Sequence, residues 1–216
     1  MIFVFINGLA GKKSAFFVKP IEEMKKCAII MIMRIIAGRN RGKKLLLPNF
    51  EGTRPTADLV KTSMFGLLDR YIDGAKVLDL FAGSGALGLE CLSRYAESAV
   101  FVDMNKKSCD LVRKNAQSMN YDPEIINLPY DKALLNFKKR GQKFDIILLD
   151  PPYHNGLESQ ALLKIVDFGV LADDGICVVE MAKEDSMDAK VYDFFEELKN
   201  RTFGIKRILL LKRKTI

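Results

Sequence analysis

From Lys76 onward, short apolar runs alternate with longer segments of helical spacing. Val77 to Phe81, Ala99 to Val102, Pro123 to Leu128, Phe144 to Leu149 and Ile176 to Val179 read as strands. Between them the spacing predicts helices running to about Tyr95, from Asn105 to about Met119, from about Asp131, and around Glu158 to Val166. A strand without polar alternation must be covered on both faces, and helices crossing over successive parallel strands do this. The expected fold is therefore α/β, a doubly wound, mostly parallel sheet. Toward the C-terminus the pattern predicts a helix from Ala189 to Leu198 and two final strand-like pieces divided near Gly204.

Ligands of such sheets sit beyond the carboxyl ends of the strands, where the strand order reverses. The first strand runs into Phe81-Ala82-Gly83-Ser84-Gly85-Ala86-Leu87-Gly88, in which Gly83, Gly85 and Gly88 make G-x-G-x-x-G. Without Cβ atoms a cofactor can approach the backbone, and the helix that follows offers unpaired N–H groups. The dinucleotide fingerprint has the same form, so the glycines alone do not choose a cofactor. Asp103, with Met104 next to it, follows the second strand at about the spacing of a carboxylate that binds ribose hydroxyls. Asp79 tips the choice. A carboxylate inside an apolar strand is costly unless something satisfies it. A nearby sulfonium and α-ammonium would do so, whereas a pyrophosphate would be repelled. This favours S-adenosylmethionine as the cofactor.

Directly after the fourth strand stands Asp150-Pro151-Pro152-Tyr153. Consecutive prolines fix φ and contribute no N–H, so their carbonyls are stiffly aimed. An Asp oxygen and a proline carbonyl make two acceptors for one exocyclic amino group, and a tyrosine offers a face on which a base can stack. The amino lone pair of a nucleobase is delocalised into the ring and is a poor nucleophile. Accepting hydrogen bonds from both N–H bonds favours a pyramidal nitrogen, and in-line positioning supplies the rest. Asp150 is also placed to take up the proton released after transfer. The plain alternative for the four residues is an ordinary strand-to-helix turn.

The chain's 216 residues suit one α/β domain with a small appendage. Its net charge of +7 fits a polyanionic partner. The four cysteines, Cys27, Cys91, Cys109 and Cys177, form no C-x-x-C pair, and His154 is the only histidine. No metal site is expected, and scattered thiols fit a reducing, cytoplasmic setting. Met1 to Ile6 are apolar, but Lys12 and Lys13 soon interrupt, so neither a signal peptide nor a membrane span is expected. Met33 reads as an ordinary protein start, which makes residues 1–32 an N-terminal extension of uncertain status. Residues 33–52 read as a basic β-hairpin appendage, with Arg34, Arg39, Arg41, Lys43 and Lys44 as RNA-binding candidates. From Lys25 to Phe50 the chain has seven basic residues and no acidic one. Residues 53–216 form the expected catalytic domain. Its opening helix carries Leu59, Val60, Met64, Phe65, Leu67 and Leu68 and ends before Asp73-Gly74. Lys138-Lys139-Arg140 reads as a solvated edge, His154 as a loop residue, and the basic residues from Arg201 to Lys214 as a soluble edge or an extension of the nucleic-acid surface.

Four segments together resemble one family: Arg34-Ile35-Ile36-Ala37-Gly38 with Arg41-Gly42-Lys43-Lys44-Leu45; Thr53-Arg54-Pro55-Thr56-x-Asp58; Phe81 to Glu90; and Asp150 to Tyr153. From Met33 to its end the chain is similar to the bacterial methyltransferases of guanine N2 in small-subunit ribosomal RNA, the RsmD type. The resemblance implies a class I, Rossmann-like sheet of seven strands, the last antiparallel, with an N-terminal β-hairpin. It implies methylation of one guanine in 16S ribosomal RNA, within an assembled or partly assembled subunit. By position, Asp79, Phe81, Ala82, Gly83, Ser84 and Gly85 would cradle the methionine part of the cofactor and Asp103 its ribose. Asp150 to Tyr153 would hold the guanine, with Arg54 and Thr56 near the cofactor's mouth. Relatives carry an acidic or amide residue after the third strand, where this chain has Pro129, so Asp131 or nearby backbone is the substitute expected to meet adenine.

Competing readings remain at this level. A DNA adenine-N6 methyltransferase uses the same D-P-P-Y logic but would need a separate target-recognition domain. Enzymes that methylate a glutamine amide carry Asn at the position of Asp150. An NAD-dependent oxidoreductase rests on the glycines alone, and a non-catalytic RNA-binding module would keep the fold without the chemistry.

Overall fold

A computed structural model of the chain describes residues 33–47 and 56–214, with side chains from residue 60 in the second stretch. After α1 (Thr56–Ile72) come β1 (Lys76–Asp79), α2 (Ala86–Ser93), β2 (Ser98–Val102), α3 (Lys106–Gln117), β3 (Glu124–Ile126) and α4 (Tyr130–Arg140). They are followed by β4 (Phe144–Leu149), α5 (Leu157–Phe168), β5 (Leu171–Ala182), α6 (Val191–Phe194), β6 (Phe195–Phe203) and β7 (Lys206–Arg213). The seven strands lie in the order β3-β2-β1-β4-β5-β7-β6. All pairs from β3 to β5 are parallel, and β7 runs antiparallel to both β5 and β6. The order reverses between β1 and β4, which places the binding crevice beyond the carboxyl ends of those two strands.

Side chains of each strand alternate between two apolar layers. Val77, Ile146, Leu148, Ile176 and Val178 pack with Met64, Phe65, Leu68, Leu89 and Val112 from α1, α2 and α3. Leu78, Val100, Ile147, Leu149, Cys177 and Val179 pack with Leu134, Phe137, Leu162 and Ile165 from α4 and α5. Both faces are thus buried, which is why the strands lack polar alternation, and each large aliphatic side chain so buried contributes about 1.5–3 kcal/mol. Gly88 lets α2 approach the sheet, since a Cβ there would come within 2.4 Å of the Phe101 ring.

The C-terminal helix expected from Ala189 to Leu198 does not form. Only one turn, α6, is helical, and β6 begins at Phe195. Phe195 is fully buried, and Glu196, Glu197 and Lys199 enter the ladder with β7 around an irregularity between Glu197 and Lys199. Tertiary pairing overrides the helical preference of Glu-Glu-Leu-Lys. The turn to β7 falls at Gly204, where φ is +59°, as expected. The third strand stops at Ile126 rather than Leu128, and β5 is longer than its apolar core because it starts at Leu171, opposite Phe144.

Before α1, the arms of the hairpin meet at one antiparallel bridge, Arg34 with Lys44, flanked by Ile35 N–H to Lys43 O at 2.9 Å and Leu45 N–H to Met33 O at 2.8 Å. Much of the remaining backbone is satisfied by α2, and Leu46 bonds Asn115 on α3 through both its N–H and its O. The buried Glu90 carboxylate accepts from Ile36 N–H at 2.8 Å and Ala37 N–H at 2.9 Å. Ser93 Oγ donates to Ala37 O at 2.6 Å and accepts from Asn40 N–H at 3.0 Å. Gly38, at φ +80°, lies so close that a Cβ would stand 1.8 Å from Ser93 O. Residues 1–32 and 48–55, including Arg54, lie outside the described residues, as does the side chain of Thr56.

Candidate active site

β1 ends in Asp79, whose buried carboxylate accepts from Gly88 N–H at 3.0 Å across the glycine loop. Burial raises its pKa to about 7, the Gly88 N–H opposes that rise, and the Asp103 charge adds to it. A cation brought alongside would favour the ionised form. The loop is pinned from both sides. Ala82 N–H bonds Val102 O at 2.9 Å, and Gly83 N–H bonds Asp103 Oδ2 at 2.9 Å. Gly83 and Gly85 take φ of +54° and +77°, and a Cβ on Gly83 would meet nothing within 4 Å, so the loop has an open side there.

Asp103 caps β2 and also accepts from Asn105 N–H at 2.7 Å through its other oxygen. Its carboxylate is therefore fixed in direction and half-buried, with lone pairs left for hydroxyl donors. Met104 beside it is 75% exposed, an apolar surface at the mouth of the loop. Phe81 and Tyr130 pack at 5.5 Å between ring centroids, and Asp131 sits half-buried in the first turn of α4. Because β3 ends at Ile126, the residue that follows it is Asn127, an amide, and not Pro129. Asn127 Nδ2 donates to Asp103 O at 2.9 Å. The third strand is thus two residues shorter than the apolar pattern predicts, and an amide, not a proline, comes next. Glycine loop, Asp103 and Asp79 form an open cradle whose lone pairs and carboxylates fit a ribose and a cationic methionine moiety.

Asp150 follows β4, and Pro151 is buried against the sheet while Pro152 faces out. Tyr153 is half-buried and donates its O–H to Glu180 Oε1 at 2.6 Å. Glu180, near the carboxyl end of β5, also takes the Lys206 ammonium from the start of β7. Dense surroundings and the carboxylates of Glu180 and Asp79 push the Asp150 carboxyl well above the usual carboxylate range, while Lys206 pulls it down. Asp150 itself remains open to water from the crevice, so its desolvation is completed only when the crevice is filled. Neither Glu180 nor Lys206 was singled out from the sequence. Glu180 carries the signal that marks Asp79, a carboxylate in an apolar strand, but it lies one residue beyond the apolar run that ends at Val179. Lys206 carries no local signal, because β7 joins the site from the antiparallel end of the sheet.

The remaining candidates lie elsewhere. His154, at φ +63° and 68% exposed, is tied to Asp185 by its N–H at 2.9 Å and its Nδ1 at 2.8 Å. That geometry is the loop role expected. Lys138-Lys139-Arg140 closes α4 before Gly141, where basic groups complement the helix C-terminus. Arg34, Arg39, Arg41, Lys43 and Lys44 are all exposed, and Arg39 stacks on exposed Tyr95 at 4.8 Å. Since α2 runs from the cofactor loop back toward the amino ends of the strands, the hairpin tip at Ser93 lies about 12 Å, one eight-residue helix, from that loop. Asn115 on α3 links the two ends, donating to Ser84 O and Leu46 O, each at 2.9 Å. Among the described residues no helix is long and apolar enough to cross a membrane.

Sheet order, glycine loop and acid-ended strands define a class I methyltransferase, the class whose donor is S-adenosylmethionine. Residues 33–212 match the family model described as conserved hypothetical protein 95. The chain is 37% identical over 179 residues to the ribosomal RNA small subunit methyltransferase D of Haemophilus influenzae, covering 80% of this chain and 90% of that protein. It is 36% identical over 156 residues to the protein of the same name from Escherichia coli K12, covering 72% of this chain and 77% of that one. The chain belongs to this family, the RsmD type. Among solved structures, Escherichia coli yhhF superposes with a TM-score of 0.73 at 32% identity, over 86% of this chain and 99% of that one. The T. thermophilus 16S rRNA N2 G1207 methyltransferase, in complex with AdoMet and guanosine, shares the fold, with a TM-score of 0.64 at 21% identity over 85% of this chain and 50% of that one.

Proposed function

We propose that the chain transfers a methyl group from S-adenosylmethionine to the exocyclic N2 of a guanine in small-subunit (16S) ribosomal RNA. One observation carries this reading: Asp150-Pro151-Pro152-Tyr153 leaves β4 next to the Asp79 end of β1, across the point where the strand order reverses. When bound, S-adenosylmethionine supplies an electrophilic methyl on a sulfonium. Asp79 and the Phe81–Gly85 loop hold the amino-acid end, Asp103 orients the ribose, and Met104, Asn127 and Asp131 border the adenine. Arg54 and Thr56 are proposed to contact the cofactor on the strength of the family resemblance alone. Asp150 and the Pro151 carbonyl accept the two N–H bonds of the guanine amino group, and Tyr153 stacks on the base. The proton lost from nitrogen passes to the Asp150 carboxylate and then to water.

The relatives named as small-subunit rRNA methyltransferases support ribosomal RNA as the substrate, and the T. thermophilus complex indicates that this fold can carry AdoMet and guanosine together. A partly assembled or assembled subunit in the cytoplasm is the setting proposed. The proposed division of the chain is an extension at 1–32, a basic hairpin at 33–52 and the catalytic domain at 53–216. Two assays test the function. Small-subunit particles from a strain lacking the enzyme should gain one N2-methylguanine; label that appears only as N6-methyladenine in DNA refutes the reading. In calorimetry, S-adenosylhomocysteine should bind and NAD should not; the reverse would make the chain an oxidoreductase.

The proposed RNA surface is the exposed row Arg34, Arg39, Arg41, Lys43 and Lys44, with Arg54 added by the family resemblance. Because the hairpin tip lies away from the catalytic crevice, RNA touching both must wrap past α2. Replacing Arg39, Arg41, Lys43 and Lys44 with Ala should weaken binding and lower the slope of log affinity against log salt by up to about 3. Titrations between about 50 and 200 mM salt read this directly. An unchanged slope would move the interface elsewhere.

A further inference from the structure

We propose that Glu180, pinned by Lys206, is a positioning residue for the methyl-accepting crevice, holding Tyr153 by its hydroxyl. This rests on the function proposed above. Glu180 is almost fully buried at the carboxyl end of β5, yet its Oε1 receives both the Tyr153 O–H and the Lys206 ammonium, which itself lies 5.7 Å from the Tyr153 ring centroid. Burying the Glu180 charge is costly unless it is paired and hydrogen-bonded, and the Lys206 ammonium and the Tyr153 hydroxyl together meet that demand, which ties the ring to the pair. Fixing the hydroxyl fixes the ring plane on which a base stacks, so less side-chain entropy is lost when RNA binds.

The same pair acts on Asp150. The charges that act on Asp150 are those of Glu180 on β5, Lys206 on β7 and Asp79 on β1. Asp150 takes up the proton released by the transfer only as the carboxylate, which is also its stronger acceptor form. Glu180 opposes ionisation and Lys206 favours it, so activity should fall as the pH drops through the raised Asp150 pKa, at a point set by these two neighbours. With Asp150 ionised, methyl transfer breaks the donor's C–S bond and forms the N–C bond, and the carboxylate takes the departing proton. With Asp150 protonated, the carboxyl cannot take that proton and offers the guanine amino group only its weaker, neutral acceptor.

The pH dependence of kcat/KM separates this role from a purely structural one. Glu180→Gln keeps an oxygen for the Tyr153 hydroxyl but removes a like charge, so the acid limb should move to lower pH by about one unit or more. Lys206→Met should move it to higher pH, and Lys206→Arg should restore it. Glu180→Ala should raise KM for the ribosomal particle roughly tenfold, and more than Glu180→Gln does, because the hydroxyl loses its partner. Retained S-adenosylhomocysteine affinity certifies the fold of each variant. Carbon-13 titration of the Asp150 carboxyl should show the same opposite displacements without any substrate. Limbs and titrations that stay put, or move the same way in Glu180→Gln and Lys206→Met, overturn the inference. Wild-type protein that methylates no ribosomal RNA overturns the function instead, while the carboxyl titration still judges the Glu180–Lys206 pair.

Discussion

Asp150→Ala should lower kcat for methyl transfer by at least about 10²–10³-fold, the scale lost when one preorganised polar partner of a reacting group is removed. Affinity for S-adenosylhomocysteine should stay within a few-fold. The two readouts separate because the cradle proposed for the cofactor is built from β1, its loop and the end of β2, whereas Asp150 stands on β4. Gly88 N–H on Asp79 and Gly83 N–H on Asp103 hold that cradle without Asp150. Single-turnover transfer of labelled methyl groups, run beside calorimetry, is the measurement. Turnover preserved in the variant would remove Asp150 from the chemistry. A matching collapse of cofactor affinity would mean that Asp150 is part of the cradle.

Glu90→Ala should cost roughly 3–5 kcal/mol of stability, as expected when one member of a buried ionic network is removed. Glu90 is fully buried on α2 and accepts from Ile36 and Ala37 N–H, from Arg94 Nε at 2.9 Å and from Lys61 Nζ at 3.0 Å. Four donors converge on one carboxylate, so its loss strands buried N–H groups and a guanidinium together. At about 2–4 °C per kcal/mol for a domain of this size, the melting temperature should fall by about 10 °C. The hairpin should exchange its amide hydrogens much faster, and Glu90→Gln should recover part of the loss by still accepting from one of the two backbone amides, which bond different oxygens of Glu90. A cost below about 1 kcal/mol, within the range of ordinary surface changes and weak hydrogen bonds, would mean that the hairpin is held by Ser93 and Asn115 instead.

The two variants probe the two ways in which this chain was legible. Asp150 could be found from sequence because its meaning is local. A run of apolar residues ending in Asp-Pro-Pro-Tyr places an acceptor on a rigid turn at the end of a strand, whatever lies around it. Asp79, the glycine loop and Asp103 are local in the same sense, since each is read from its position relative to its own strand. The doubly wound sheet follows from the period of the apolar residues, because strands buried on both faces leave that mark along the chain itself.

Glu90, Asn115, Glu180 and Lys206 belong to the other kind. Glu90 lies on a helix where a glutamate is ordinarily solvated, and only the packing of the hairpin 53 residues away turns it into a buried clamp. Lys206 meets Glu180 because β7 enters the sheet antiparallel, a pairing across 26 residues that no local pattern encodes. The helix expected from Ala189 to Leu198 was lost to the ladder with β7 for the same reason, since local preference yields where a strand completes a sheet edge and buries Phe195. By itself, then, the sequence determined the sheet and where the proposed cradle and acceptor turn fall on it, because these are set by the spacing of residues along the chain. The tertiary structure decided what stands behind Tyr153 and what anchors the hairpin, because those contacts exist only once distant segments are brought together.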